Sequence, residues 1–408
     1  MPTISAPRAV VDGRTTGPVT VSFEDGVITA VHEAAGLSGN GSGSASAPAD
    51  IVLADGVLTA GLVDIQTNGS FGVDFAAADD AQWDLVASRL PATGVTSFQP
   101  TYITAPLDDL VPGIAVAHAA RRRLEHGPHA RIMGLHLEGP FLSPDRHGVH
   151  EKRYLAEPTE DAVERILAAP GADVLTMVTL APELPGALAA IRRLTGAGVR
   201  VSVGHTDATA AQITAAADAG ATLVTHIFNA QRGLAHREPG VPGATMADRR
   251  FYCGLIADLH HVVPEVCTLV WRGARGRVVL VTDAIAAAGM PPGEYVLSGI
   301  PVVLEDGVPR NADGTIAGSA LTLDQAVRNM VCLGLSEAQV IEAASRVPAD
   351  ALGRPDLGRI AVGAKADLVW WSEGFHPRRT WVDGREVTAG TDPAPPLPAA
   401  RETLAVSP

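Results

Sequence analysis

The chain has 408 residues, of which 46% are hydrophobic and 19% charged, and its formal net charge is −14. This length suits one large domain with a smaller accessory domain, and the negative charge argues against a nucleic-acid partner, which needs a basic face. No apolar run approaches the roughly 20 residues that span a bilayer, so we expect no membrane association. We expect a cytoplasmic protein, because no secretion signal is recognisable and the three cysteines lack metal-ligand spacing.

Short β-strands are predicted for residues 1–56, in the stretches PRAVVDGR, PVTVSFEDGVITAVHE and DIVLADG. A polar insert rich in glycine and serine, Ser38 to Asp50, lies between them and is typical of a flexible segment. We expect residues 1–56 to form the first part of a small β-sandwich domain.

From Val57 onward, apolar runs alternate with amphipathic stretches. Eight such runs end near Gln66, Gln99, Glu138, Leu180, His205, His226, Asp258 and Asp283. Continuously apolar runs are typical of strands buried on both faces, and the stretches between them, such as TAAQITAAADAG, close on glycine as helices do. The pattern predicts an α/β fold in which residues 57–354 form a (β/α)8 TIM-like barrel.

After the eighth run, EYVLSGIPVVLEDGVPR predicts further strands, and TLDQAVRNMVCLG and SEAQVIEAASRVPADALG predict two helices. Residues 355–390 return to a strand pattern and are expected to complete the small β-sandwich, which therefore draws on both ends of the chain. Residues 391–408 are rich in proline and alanine and predict a disordered tail.

Three of the residues that end apolar runs are candidate metal ligands, because barrels of this kind place their chemistry at the C-terminal tips of the strands. Glu138, His205 and His226 offer one carboxylate and two imidazoles, which zinc or ferrous iron accepts. Three protein ligands leave one position open for water, the usual catalytic arrangement. We predict one divalent metal ion per subunit, zinc or alternatively iron.

Two sequence features argue against a second metal ion. Many barrel metallohydrolases carry His-x-His on the first strand, whereas this chain has Gln66 and Asn68, whose neutral amides are poor ligands. Others bridge two metals with a carboxylated lysine on the fourth strand, but the lysines of this chain, Lys152 and Lys365, lie elsewhere.

Asp283 is the candidate general base, since a carboxylate beside a metal ion can take a proton from water and deliver it to a leaving nitrogen. The alternative role is an aspartate that caps the following turn. Arg237 suits a phosphate because its planar guanidinium donates two hydrogen bonds at once; the alternative is an exposed surface turn.

Eight motifs occur in order between about Gly61 and Ala366: GLVDIQTNG, LHLEGPF, LAPE, VGHTDAT, THIFNA, HREPG, LVTDA and GSALTLDQAV. Through them the chain resembles the N-acetylglucosamine-6-phosphate deacetylase family of the amidohydrolase superfamily. The resemblance implies a barrel joined to a small β-sandwich, a homodimer, and hydrolysis of the acetamide of N-acetylglucosamine 6-phosphate to acetate and glucosamine 6-phosphate.

The resemblance also implies roles for individual residues. Glu138, His205 and His226 match the family's metal ligands and Asp283 its acid/base, while His150 matches a histidine that contacts substrate and polarises the amide carbonyl. The implied substrate-binding residues are Asn229, Ala230, Arg237, His261, Gln66 and Asn68, with Arg237 and His261 at the phosphate. Gln66 and Asn68 also place the chain with the single-metal branch.

The chain departs from the family pattern at positions expected on the substrate-facing rim. Glu151 and Lys152 replace an Asn-Pro pair after His150, Leu259 replaces a glycine, and Gln231 replaces a methionine. Three functions stay open: a deacetylase of N-acetylglucosamine 6-phosphate or a close N-acetyl amino sugar phosphate, a deacetylase of another amino sugar, unphosphorylated or from secondary metabolism, and a non-catalytic barrel scaffold.

Overall fold

A computed structural model describes residues 1–33 and 49–387. Its central unit is a barrel of eight parallel strands, called barrel strands 1 to 8 in chain order. These strands are Leu62–Thr67, Val95–Ile103, Leu135–Glu138, Leu175–Leu180, Arg200–Val203, Leu223–Val224, Tyr252–Ile256 and Val278–Val281. Every residue of barrel strands 1, 2, 3 and 8 is buried, which accounts for the continuously apolar runs.

The barrel closes where strand 8 meets strand 1. Successive strands pair in parallel from strand 1 to strand 8. The backbone N–H of Asp283 then donates to the carbonyl O of Gln66 at 2.9 Å, and Ala284 pairs with Thr67. The predicted α/β fold with a TIM-like barrel is confirmed.

The strand ends differ from those predicted by up to four residues. Barrel strand 2 continues to Ile103, beyond the predicted end at Gln99. Barrel strands 5 to 8 end two residues before the predicted ends at His205, His226, Asp258 and Asp283. These polar residues therefore stand in the turns that leave the strands, at the mouth of the barrel.

The α-helices lie mostly between the barrel strands and pack their apolar faces against them. They span Asp80–Arg89, Leu107–Arg123, Glu160–Leu167, Ala187–Gly196, Ala210–Ala219, Gly240–Ala247, Pro264–Gly273, Leu323–Cys332, Glu337–Ala343 and Arg346–Ala351. Short 3-10 helices span Phe75–Ala77, Leu90–Thr93, Lys152–Tyr154 and Ala172–Val174. None of the helices within the described ranges is long and apolar enough to cross a bilayer.

The second helix predicted after barrel strand 8 divides in two. Glu337–Ala343 and Arg346–Ala351 are separated at Ser345, whose φ of −137° is not helical. Pro348 has no backbone N–H and cannot continue a helical hydrogen-bond ladder, so the break falls one turn before it.

Two sheets beside the barrel form the small β domain. One contains, in spatial order, Val27–Glu33, Val19–Glu24, Thr3–Ala6 and Ile51–Val52. The other contains Arg385–Val387, Pro377–Val382, Leu368–Trp371, Val57–Ala60, Ala9–Val11 and Arg14–Thr16. Strands from both ends of the described chain meet in the second sheet, and the two sheets share one buried core. The predicted small β domain built from both termini is confirmed.

The boundaries placed at residues 56, 354 and 390 stay a proposal. The strand Val57–Ala60 pairs with Leu368–Trp371 and Ala9–Val11, so its hydrogen bonds are to the small β domain. The proposed tail, 391–408, lies outside the described residues, and so does the stretch 34–48, which includes most of the polar insert predicted from Ser38 to Asp50.

Two smaller sheets lie near the mouth of the barrel. Gly69–Ser70 pairs with Val73–Asp74, and the predicted strands after barrel strand 8 form an antiparallel sheet of Gly293–Leu297, Ile300–Glu305 and Val308–Arg310. The buried face of the latter packs against Ile103 and Ile285. This sheet therefore walls one side of the space above the barrel. A short strand, Arg131–Ile132, precedes barrel strand 3 and pairs with strand 2.

An ion-pair network joins the barrel to the small β domain. The Arg131 side chain is 13% exposed and donates to Asp367 at 2.7 Å and to Asp383 at 2.9 Å. Asp367 is only 2% exposed and also accepts a hydrogen bond from the backbone N–H of Asp383 at 2.8 Å. Each buried charge therefore depends on the other for its stability.

Asp64 links barrel strands 1 and 8 by its side chain. Its carboxylate accepts hydrogen bonds from the Thr282 hydroxyl at 2.6 Å and from the Thr282 backbone N–H at 3.3 Å. Burial raises the pKa of Asp64 to about 7, although these hydrogen bonds act to lower it. Ionisation of this carboxyl is therefore unfavourable in the folded protein.

Replacing Arg131 by methionine should lower the free energy of unfolding by about 3–5 kcal/mol, because Asp367 would remain buried without its partner. Urea denaturation followed by tryptophan fluorescence measures this loss. The matched control is Glu164→Gln, which breaks the exposed Arg193–Glu164 pair and should change stability little. Equal losses in the two variants would contradict a buried network.

Replacing Asp64 by asparagine should raise the melting temperature relative to the wild type, and more so at pH 8 than at pH 4.5. The pKa of Asp64 is about 7 in the folded protein against an ordinary value of 3.8. The stability it contributes is thus present below about pH 4 and is lost as the pH rises through about 7. A melting-temperature difference that does not change with pH would disprove this assignment.

Candidate active site

A cavity of about 360 Å³ opens at the C-terminal end of the barrel. Its polar lining includes Asn68, Glu138, His150, His205, His226, Asn229, His261 and Asp283. Its apolar lining includes Ile103, Val149, Ile256, Leu297 and Ile316. Most of the residues singled out in the sequence therefore face one space, with an apolar wall on the side of the three-stranded sheet.

Glu138, His205 and His226 meet at the floor of this cavity. Glu138 Oε1 lies 3.1 Å from His205 Nε2 and 2.9 Å from His226 Nε2, and the two Nε2 atoms are 3.1 Å apart. All three residues are at most 5% exposed. The structure thus brings the three predicted ligand groups together, each from a different strand end.

The backbone at this site is strained. His205, His226 and Asp283 have φ values of 48°, 27° and 49°, in the left-handed region that residues other than glycine rarely adopt. Such conformations cluster at functional sites, where the surrounding structure holds them. Here they turn the chain sharply at the end of each strand, so the side chains point over the barrel mouth.

The hydrogen bond at His205 Nδ1 tests whether a cation fits the cluster. Nδ1 lies 2.9 Å from the carbonyl O of Arg146, to which it donates. In the neutral imidazole Nε2 then carries a lone pair, and it faces the carboxylate oxygen of Glu138. Two acceptors in contact repel each other unless a cation lies between them, so the donor set fits a metal ion.

The spacing and the electrostatics of the cluster agree with this. Zinc bonds of about 2.0–2.1 Å in tetrahedral geometry place ligand atoms about 3.3 Å apart, close to the separations observed. Burial would raise the pKa of Glu138, but the adjacent His205 and His226 lower it well below its ordinary value. Burial would likewise lower the pKa of His226, but Glu138 raises it to about 9. The site therefore favours a positive charge beside Glu138.

His150 lies close to this cluster but has the proton arrangement of a donor. Ligand atoms of Glu138, His150 and His205 lie within 4.8 Å of one another. The backbone N–H of Thr104 donates to His150 Nδ1 at 3.3 Å, and the Thr104 hydroxyl lies 2.8 Å from the same atom. Because a backbone N–H can only donate, Nδ1 is assigned as the acceptor and the proton of the neutral ring to Nε2. Burial lowers the pKa of His150 well below its ordinary value, which keeps the ring neutral. His150 is thus better suited to donate a hydrogen bond than to bind a metal.

Gln66 and Asn68 orient the carboxylate of Asp283. Asn68 Nδ2 donates to Asp283 Oδ1 at 2.8 Å, and Gln66 Nε2 donates to the same oxygen at 3.2 Å and to Glu138 Oε2 at 3.3 Å. Burial, and then the charge of Glu138, raise the pKa of Asp283 to about 6. A second metal ion at this position would need ligands with free lone pairs, whereas Gln66 and Asn68 present N–H donors there.

Of the predicted substrate-binding residues, Asn229, Ala230, His261 and Asn68 line the cavity, whereas Gln66 and Arg237 do not. His261 Nδ1 lies 2.7 Å from Asp258 Oδ2, so Asp258 braces this histidine. Arg237 is exposed in the loop after barrel strand 6. In the described chain it does not line the cavity.

The four departures from the family pattern do not line the cavity of the described chain, so an altered substrate-facing rim stays an expectation. Glu151 and Lys152 are exposed outside it. Gln231 is 5% exposed, and its amide holds the preceding loop by accepting from Phe228 N at 3.1 Å and donating to Thr225 O at 2.7 Å. Leu259 takes a φ of 66°, as the glycine it replaces could, and packs on the core.

Several residues that orient the proposed metal ligands and His150, without being ligands themselves, were not predicted from the sequence. Thr104 sets the tautomer of His150, and the Arg146 carbonyl sets that of His205. Glu183 contacts the loop that carries His205, and Asp207, which lies in that loop, contacts Arg146. The LAPE and VGHTDAT motifs contain Glu183 and Asp207, but a motif match does not indicate what a side chain contacts.

Comparison with known proteins identifies the family of the chain. The Amidohydrolase family model matches residues 57–387. The N-acetylgalactosamine-6-phosphate deacetylase of Escherichia coli O157:H7 is 41% identical over 333 residues, which cover 81% of this chain and 87% of that protein. The human N-acetylglucosamine-6-phosphate deacetylase is 39% identical over 351 residues, covering 81% of this chain and 83% of its own length.

Solved structures give the same result. The crystal structure of N-acetyl-D-glucosamine-6-phosphate deacetylase from Mycobacterium smegmatis superposes with a TM-score of 0.87 at 34% identity, covering 95% of this chain and 100% of that one. A mutant of that enzyme in complex with N-acetyl-D-glucosamine-6-phosphate also has a TM-score of 0.87. The chain therefore belongs to the amidohydrolase family and, within it, to the N-acetylglucosamine-6-phosphate deacetylase family that its motifs resemble.

Proposed function

We propose that this protein hydrolyses the acetamide of N-acetylglucosamine 6-phosphate, or of a close N-acetyl hexosamine 6-phosphate, to acetate and the amino sugar phosphate. The observation that carries the proposal is the convergence of Glu138, His205 and His226 beside Asp283 and His150 in one cavity. The names of the relatives support the substrate class, and they include both a glucosamine and a galactosamine derivative.

Glu138, His205 and His226 would hold one divalent metal ion per subunit, zinc in our proposal and iron as the alternative. Such an ion, when bound, polarises a carbonyl oxygen and lowers the pKa of water to about 7. The amides of Gln66 and Asn68 support a single ion, because they donate to Glu138 and Asp283 from the side where a second ion would bind.

Asp283 would move the proton. With a pKa of about 6 its carboxyl is largely ionised at neutral pH, so it can accept a proton from water and pass it to the leaving nitrogen. Gln66 and Asn68 both donate to Oδ1. The other oxygen, Oδ2, is therefore left to face the reacting atoms.

His150 would stabilise the charge that develops on the acetamide oxygen. Its ring is neutral, and Thr104 holds Nδ1, so Nε2–H is available as a donor inside the cavity. A preorganised donor in a buried site acts on the transition state more than on the substrate, because the oxygen gains negative charge as the water attacks.

The sugar phosphate would be held by Asn229, the backbone at Ala230 and His261, which line the cavity. Arg237 is exposed and lies outside that lining. We therefore propose a homodimer in which Arg237 of the partner subunit reaches the phosphate. The proposed compartment is the cytoplasm, in agreement with three cysteines that form no disulfide.

The two alternatives are less well supported. The four departures from the family pattern do not line the cavity of one chain, so the lining residues offer no support for a different sugar. Hydrogen bonds at Nδ1 fix the tautomers of both His150 and His205, and both rings line the cavity. A non-catalytic scaffold would have no need of such fixed tautomers.

Acetate release should be fastest with N-acetyl hexosamine 6-phosphates. We expect kcat/KM to fall by about tenfold to a hundredfold for the unphosphorylated sugars, which lose the charge-assisted hydrogen bonds to the phosphate. The assay compares N-acetylglucosamine and N-acetylgalactosamine, each with and without 6-phosphate. Chelator treatment should abolish activity, and zinc should restore it. Equal rates with and without the 6-phosphate would favour the alternative function, a deacetylase of an unphosphorylated amino sugar.

Asp283→Asn should lower kcat by at least about a hundredfold, since the amide cannot accept a proton. The variant should keep its metal, because Asp283 is not a proposed ligand. Elemental analysis of the purified variant and steady-state acetate release test the two parts. Substantial activity with full metal content would remove Asp283 as the base.

Arg237→Ala should raise KM for the phosphorylated substrate much more than for the free sugar. If Arg237 acts across a dimer, subunits of this variant mixed and reassociated with Asp283→Asn subunits should recover activity. Random pairing in a twofold dimer leaves about a quarter of the sites with both residues. Equal effects on the two substrates would refute the phosphate role, and no recovery on mixing would refute the shared site.

A further inference from the structure

Two carboxylates outside the cavity lining, Glu183 and Asp207, connect the loop that follows His205 to its neighbours. We propose that Glu183 and Asp207 are positioning residues that hold His205 in its ligand geometry by tying together the loops after barrel strands 3 to 6. The proposal rests on the proposed function, since it concerns a ligand of the proposed metal site. Neither carboxylate faces the cavity, so neither would contact the substrate.

Glu183 lies in the loop after barrel strand 4 and holds the backbone next to His205. Its Oε1 accepts a hydrogen bond from the backbone N–H of Asp207 at 2.7 Å, and its Oε2 accepts one from the Thr206 hydroxyl. The Thr206 hydroxyl in turn accepts from the backbone N–H of Ala208 at 3.0 Å. One carboxylate thus organises the three residues that follow His205.

Asp207 connects this loop to its neighbours on both sides. Its Oδ1 accepts from Arg146 Nε at 2.9 Å and Nη2 at 2.7 Å, and Arg146 lies in the loop after barrel strand 3. Its Oδ2 accepts from Arg232, in the loop after barrel strand 6, and Arg232 Nε also donates to the Asp207 carbonyl at 2.8 Å. The two arginines share one aspartate.

The contact with Arg146 leads directly back to the metal site. The carbonyl of Arg146 accepts the hydrogen bond from His205 Nδ1 at 2.9 Å. That bond keeps Nε2 unprotonated and turned toward Glu138. Asp207 thus fixes the residue that supplies the acceptor, while Glu183 fixes the backbone after His205.

His205 needs such support because its φ of 48° is unfavourable for a residue with a Cβ. A strained residue keeps its conformation only where the surrounding structure determines it. Groups that orient metal ligands from outside typically change metal affinity or activity by about tenfold to a hundredfold when they are removed. Glu183 and Asp207 have the contacts of such groups.

The test compares Glu183→Ala, Glu183→Gln and Asp207→Asn with the wild type after all proteins are loaded with zinc. The rate of zinc transfer to an excess of chelator is measured, together with kcat, KM and the free energy of unfolding. The control is Glu164→Gln, because Glu164 also accepts two hydrogen bonds from one arginine, on helices outside the barrel.

We expect zinc transfer from Glu183→Ala to be about tenfold to a hundredfold faster, and kcat to fall while KM changes little. Glu183→Gln should lie between this variant and the wild type, because its amide keeps one of the two acceptors. Asp207→Asn should also release zinc faster, since its amide NH2 would face Arg232. Glu164→Gln should behave like the wild type.

Wild-type zinc transfer and kcat in Glu183→Gln and Asp207→Asn would overturn the proposal, even if stability fell. These two variants decide the question if Glu183→Ala does not fold. A wild-type protein that retains no zinc after loading would instead contradict the proposed function. The two failures are therefore distinguishable.

Discussion

The contact between His205 Nε2 and Glu138 Oε1 is the constraint on which the site depends. With Nδ1 donating to the Arg146 carbonyl, both atoms are acceptors, and they lie 3.1 Å apart in a buried place. Two lone pairs at this distance, away from water, are stable only with a positive charge between or beside them. His226 adds a third nitrogen at the same point. The chemistry proposed for the cavity follows from this enforced concentration of acceptors.

The amides of Gln66 and Asn68 complement this arrangement by supplying donors to the remaining carboxylate oxygens. They link Glu138 to Asp283 without bringing in another charge. One carboxylate is left with its pKa well below the ordinary range and the other with a pKa of about 6. Two similar side chains a few ångströms apart are thereby given different tasks, one binding a cation and one exchanging protons.

The fold was predictable from the sequence because buried parallel strands have a simple signature. Eight apolar runs separated by amphipathic stretches correspond to the eight barrel strands, and the polar residues at their ends meet in one cavity. Strand ends were less accurate, since His205 and Asp283 continue an apolar run in sequence but already leave the extended conformation. The division of the second late helix at Ser345 was missed, although Pro348 indicates it.

Side-chain directions in loops were not predictable. The position of Gln231 in its motif gave no indication that its amide bonds to the backbone of its own loop. The roles of Glu183 and Asp207 depend on contacts between loops that are distant in sequence, for which no spacing gives a signal. The LAPE and VGHTDAT motifs contain Glu183 and Asp207, but a motif does not indicate which residues these side chains contact. Those contacts depend on how the loops lie relative to one another once the strands have assembled into the barrel.

The seam between the first and last barrel strands determines when the site is complete. Gln66 and Asp283 are 217 residues apart in sequence, and the backbone hydrogen bond between them closes the ring of strands. The proposed metal ligands come from the ends of barrel strands 3, 5 and 6, whereas the proposed acid/base follows strand 8 at the seam. The complete site therefore exists only once the ring of strands has closed, and opening the seam would separate Asp283 from its amide partners on strand 1.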